Sequence, residues 1–159
     1  MNKRKGGKWM RLYLIQHGRS LPEEKDPQKS LSPEGKEETR RIAEFLKTKN
    51  IKVDGLWHSP KHRARQTAQI ITASVYCPET KEREHLNPLD SVEKFPQEII
   101  SLNKNLMIIG HLPFLQKLAS LLLSGSENNQ FISFKNSGVV CLDYTDSWKV
   151  AWMITPIML

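Results

Sequence analysis

Three short apolar runs in this chain each end in a polar cluster that leads into a helix, and that recurrence leaves few folds open. Arg11–Ile15 is rich in strand formers and gives way to Gln16-His17-Gly18-Arg19. Val53–Trp57 gives way to Ser59-Pro60-Lys61-His62-Arg63, and Leu106–Ile109 to Gly110-His111. The last run is continuously apolar, as a strand covered on both faces should be. Following a polar loop over residues 21–30, Ser32-Pro33 reads as an N-cap with proline in the first turn. Ile42, Phe45 and Leu46 then recur at helical spacing as far as Asn50. Ser59-Pro60 repeats the start signal, and Ala64, Thr67, Ala68 and Ile71 share one face of the next helix. Residues 76–91 read as a charged connection and Gln97–Leu102 as a weaker helix, while Pro113 opens an apolar helix through Leu123. Val139–Tyr144 and Lys149–Ile154 flank Thr145-Asp146-Ser147 as a hairpin does. Strand and helix alternating three times, then strands, predict an α/β fold: a three-layer α/β/α domain with a mostly parallel central sheet.

The chain's 159 residues suit one domain, expected over residues 10–159. Lys3, Arg4, Lys5 and Lys8 crowd residues 1–9, which read as a basic flexible tail. They account for four of the net +7, leaving +3 for the rest. That mild balance, without interleaved aromatics or an amphipathic pattern, argues against a nucleic-acid binder. No apolar run approaches the roughly 18 residues needed to cross a bilayer. No apolar core of a secretory signal follows the basic start, so no membrane is implied and the cytoplasm is the expected location. Cys77 and Cys141 match no redox or metal spacing and read as free thiols, buried or half-buried. There is no HExxH, CxxC or Walker loop, and His58 and His62 are separated by Pro60 at a helix start. Neither metal nor cofactor is expected.

The chemistry concentrates after the three strands. Ligands of open parallel sheets bind outside the carboxyl ends of the strands. If the three are neighbours, His17, Arg63 and His111 converge on one crevice, with helix N-termini near Pro60 and Pro113 aimed at it. Two imidazoles and a guanidinium suit phosphate. A neutral imidazole can attack phosphorus in line, and the planar fork of arginine fits the equatorial oxygens. Phosphoryl transfer asks mainly for positioning and charge stabilisation, so few residues suffice.

Four segments in register make the pattern specific. Leu12 to Ser20, with Gln16-His17-Gly18 at its centre, resembles the histidine phosphatase signature, a strand ending in Arg-His-Gly. Leu31-Ser32-Pro33-Glu34-Gly35 resembles the family's Leu-Thr-x-x-Gly stretch. Ser59 to Thr67 resembles its Ser-Pro-x-x-Arg-Ala-x-Gln-Thr segment, and Met107 to Pro113 the segment bearing its second histidine. The order and short spacing are similar to the compact SixA-type branch of the histidine phosphatase (phosphoglycerate mutase-like) superfamily. The resemblance implies a phosphoglycerate mutase-like fold, His17 as nucleophile, and Arg63 and His111 as catalytic phosphate ligands, with Gln16, Gly18 and Arg19 around the anion. It also implies a substrate: phosphohistidine on a partner protein, or a small phosphorylated molecule, releasing inorganic phosphate.

Two departures from the family pattern stand out. Gln16 occupies the place of the family's first arginine, which removes a positive charge. Arg19, Lys61 or His62 are the candidates to restore it. No acidic proton donor is obvious; Asp90, in Leu86 to Asp90, is the first candidate and Glu84 the second. A phosphohistidine substrate asks little of an acid, because solvent can protonate the departing imidazole. The other function that this sequence admits is a catalytically silent module that binds phosphate or a phosphoprotein.

Overall fold

A computed structural model of the protein describes residues 9–159. The basic tail expected over residues 1–9 therefore lies, save for Trp9, outside the described residues. Eleven elements follow in order, beginning with β1 (Met10–Gln16), α1 (Pro33–Thr48), β2 (Gly55–His58) and α2 (His62–Thr72). Next come β3 (Thr80–Glu82), α3 (Phe95–Leu102), β4 (Leu106–Gly110) and α4 (Phe114–Ser124). The hairpin β5 (Val139–Tyr144) and β6 (Trp148–Ile154) leads to a closing 3-10 turn, Pro156–Met158.

The six strands form one sheet in the order β3-β2-β4-β1-β5-β6. The first four run parallel, and β5 and β6 pair antiparallel to their neighbours. Pleating alternates the side chains across the two faces. Leu12, Leu14 and Ile108 pack with Phe95 and Ile99 of α3 and Phe114 and Leu118 of α4. Tyr13, Ile15, Met107 and Ile109 pack on the opposite face with Ile42 and Leu46 of α1 and Ala64, Ala68 and Ile71 of α2. Helices on both faces of a mostly parallel sheet are the three-layer arrangement expected.

The differences from expectation are local. The second strand begins at Gly55 rather than Val53, and α3 begins at Phe95, earlier than expected. Within the supposed connection at 76–91, Thr80–Glu82 pairs parallel with β2 as an edge strand. Its three residues are all exposed, so no apolar pattern announces it. Ser59-Pro60 does not cap α2, which starts at His62 with no side-chain cap. Ser32 does cap α1, accepting from the Gly35 N–H at 3.0 Å. Cys141 is buried and Cys77 half-buried, both free. No helix among the described residues is long and apolar enough to cross a membrane.

Candidate active site

β4 lies between β1 and β2, so the three polar clusters leave one edge of the sheet side by side. The ladder hydrogen bonds extend one residue beyond the strands. The His17 N–H donates to the Gly110 carbonyl at 3.0 Å, and the Ser59 N–H to the Ile109 carbonyl at 3.1 Å. The rings of His17 and His111 consequently stand 4.9 Å apart, centroid to centroid, tilted by 55°. Arg63, in the first turn of α2, donates Nε–H to Nε2 of His17 at 3.3 Å. The structure thus brings together His17, Arg63 and His111.

The two imidazoles are held neutral. His17 Nδ1 lies 2.7 Å from the Gly18 carbonyl, which can only accept, so Nδ1 carries the proton and Nε2 keeps its lone pair. Burial above all, then the positive charges of Arg63 and Lys29, pushes the His17 pKa down to about 4 against the opposing pull of the Gly18 bond. His111 is pushed down to about 3 by burial first, then by His17, Arg63, Lys61 and Lys29. Its Nε2 meets Ser59 Oγ at 2.7 Å, while its Nδ1 is buried without a partner. At neutral pH the site therefore offers one oriented free-base nitrogen beside fixed positive charge.

A shell of short bonds fixes the backbone around His17. Thr67 Oγ1 accepts the Gly18 N–H at 2.9 Å and donates to the Arg63 carbonyl at 2.8 Å, tying the loop after β1 to α2. Asn136 Nδ2 donates to the His17 carbonyl at 3.0 Å, and the Ser137 N–H to the Gln16 carbonyl at 2.9 Å. A Cβ on Gly18 would stand 2.7 Å from Thr39 Oγ1 and 3.1 Å from Ser137 Oγ, so no larger residue fits beneath the imidazole. The Gly18 amide is directed at Thr67. Arg19 is 64% exposed in its side chain and pairs with Glu38 at 3.1 Å. Gln16 reaches the crevice end of β1 with its Oε1 buried and unpartnered.

The carboxylates proposed as proton donors belong to the loop between β3 and α3. A Cβ on Gly110 would stand 3.9 Å from the Leu86 carbonyl, so this loop overhangs the end of β4. Asp90 Oδ2 accepts the Asn87 N–H at 2.8 Å within the loop, and Glu84 is exposed. Among the described residues, no cluster of three or more His, Cys, Asp or Glu is placed to hold a metal ion.

Sequence reasoning missed Lys29, Asn136 and Ser137. Lys29 sits at φ 52° in the loop ahead of Ser32, and Asp26 organises that loop by accepting the Gln28 and Ser30 N–H groups. Its positive charge depresses both imidazoles, as that of Lys61 depresses His111. No periodic signal marks such a loop residue. Asn136 and Ser137 were more accessible to reasoning. They precede β5, whose Val139 pairs with Ile15, so an antiparallel β5 beside β1 starts where His17 stands.

Residues 12–91 match the model of the histidine phosphatase superfamily (branch 1). The chain is 24% identical over 153 residues to the phosphohistidine phosphatase SixA of Escherichia coli, covering 92% of this chain and 94% of that protein. Among solved structures, the protein histidine phosphatase SixA complexed with tungstate superposes with a TM-score of 0.84 at 21% identity, covering 94% of this chain and 99% of the other. A phosphoserine phosphatase of Entamoeba histolytica in complex with phosphoserine gives 0.71 at 18% identity, with 94% and 99% covered.

Proposed function

Because the chain belongs to the histidine phosphatase superfamily, we propose that it hydrolyses phosphohistidine on a partner protein by way of a covalent phosphohistidine on His17. One observation carries this reading: Nε2 of His17 is an unprotonated nitrogen, 3.3 Å from the Arg63 guanidinium and beside His111. That is the state a nucleophile requires and the charge that a phosphoryl group requires.

In the first step the Nε2 lone pair forms a bond to phosphorus as the phosphorus–nitrogen bond of the substrate breaks. The electron pair leaves on the substrate imidazole, which takes its proton from solvent or from Asp90. Water then attacks phosphorus and returns His17 with release of inorganic phosphate. Arg63 and His111 bind the phosphoryl oxygens, and Lys29 and Lys61 add positive potential. The phosphohistidine preference is supported by the likeness to SixA and by the weak provision for acid catalysis. An alkyl ester leaving group would need a proton far more.

The test is metal-free release of phosphate from a phosphohistidine protein and from an aryl phosphate, comparing wild type with His17→Ala. The expected outcome is turnover that favours phosphohistidine and disappears in the variant. Faster turnover of small phosphoesters would overturn the substrate assignment. Equal, negligible release by both proteins would replace hydrolysis with phosphate binding alone, the reading that Gln16 favours.

A further inference from the structure

Beside the nucleophile, rather than over it, lies a cleft of about 560 Å³ walled by Arg19, Glu38, Arg41, Lys135, Asn136 and Pro156 among others. Three cations and one carboxylate in this lining leave two positive charges in excess. The carboxylate is already engaged, because Glu38 holds Arg19 Nε. Arg41 donates to the Pro156 carbonyl at 3.1 Å, which orients its guanidinium without neutralising it. Lys135 is exposed and forms no ion pair among the described residues. The cleft is joined to the catalytic loop twice. Arg19 follows His17 by two residues, and Asn136 both lines the cleft and holds the His17 carbonyl at 3.0 Å.

We infer that this cleft takes an acidic segment of the phosphorylated partner, next to the residue whose phosphoryl group faces His17. The inference rests on the phosphoprotein reading above. A lone phosphate ion would leave most of such a volume empty. Carboxylate side chains on a peptide bring charge for Arg41 and Lys135, methylene stems for the Pro156 wall and backbone groups for the Asn136 amide. Because the cleft begins where the catalytic loop ends, a chain held at His17 can continue into it. The phosphoryl group then supplies the chemistry, and the cleft selects among partners by charge.

Binding can test this without turnover. Two labelled peptides of equal length would carry a non-hydrolysable phosphoryl-triazole analogue of phosphohistidine, one with glutamates beside it and one with serines. The glutamate peptide should bind the wild-type protein about fivefold tighter, as two exposed charge pairs allow. Lys135→Glu, which replaces an attraction by a repulsion, should remove that advantage, and Arg41→Gln should cut it to about twofold, both leaving aryl phosphate turnover and thermal stability unchanged. Rising salt should erode it as well. Equal binding of the two peptides, or no binding of either, would overturn the inference even in a protein that hydrolyses phosphohistidine. A charge preference in a protein without turnover would overturn the hydrolytic reading instead.

Discussion

At His17 the imidazole is a free base by construction: the Gly18 carbonyl occupies one nitrogen and burial beside cations refuses a second proton. The rate should register this. After correction for the substrate's own ionisation, kcat/KM should stay level from neutral pH downward and fall only as the pH nears about 4. An acid limb near 6.5 in that profile would mean a solvated nucleophile. One position away, Gln16 offers a neutral amide where the family places a guanidinium. Neutral hydrogen bonds contribute about 1 kcal/mol and charge-assisted ones about 1.5–3. Gln16→Arg should therefore tighten inhibition by inorganic phosphate about 2- to 30-fold, read as a lower inhibition constant. An unchanged constant would show that Lys29 and Lys61 already compensate for the missing charge.

Among the elements, α1 shows how a glycine outside the histidine cluster can still position the loop beside it. A Cβ on Gly35 would lie 2.1 Å from the Arg19 carbonyl, the same carbonyl that accepts the Ser32 N–H at 2.9 Å. The first turn of α1 is thus seated directly on the loop that follows His17. Gly35→Ala should cost at least the roughly 1–3 kcal/mol of an overpacked site and displace Arg19 and its neighbours. A melting temperature equal to wild type would refute that seating. The contact also explains why Gly35 was legible in the sequence only as part of a pattern, whereas the Ser32-Pro33 cap was legible on physical grounds: a backbone atom of another segment dictates the glycine. By contrast, Leu106–Ile109 and the face Ala64, Thr67, Ala68 and Ile71 were legible on physical grounds, since burial writes itself into side-chain type. β3 escaped because all three of its residues are exposed. Ser59 resembled a helix cap, yet its hydroxyl is directed at His111 and at the Lys61 N–H. At a strand end, capping and catalysis draw on the same residue types.

Over the whole molecule, two neutral histidines, His111 buried and His17 half-buried, tie stability to pH. Both ring pKa values lie below the ordinary value of 6.5, at about 4 for His17 and about 3 for His111. In the window between, the unfolded chain binds protons that the folded state refuses, so stability falls as pH drops and returns as it rises. Each imidazole contributes a slope of up to about 1.4 kcal/mol per pH unit. Denaturation melts from pH 7 to pH 4 should show this loss, and replacing either ring by Gln should flatten the curve. Bound phosphate should flatten it too, because an anion lets the folded site accept a proton. The sheet order carries a consequence in time rather than in space. β4, which separates β1 from β2, is the last of the three to be synthesised. Until it inserts, the strands bearing His17 and the Ser59–Arg63 segment lack the partner that sets them two strand spacings apart, about 10 Å. A nascent chain that has not yet reached His111 holds His17 and Arg63 but not their register, so the cluster is assembled only when that central strand slots into place.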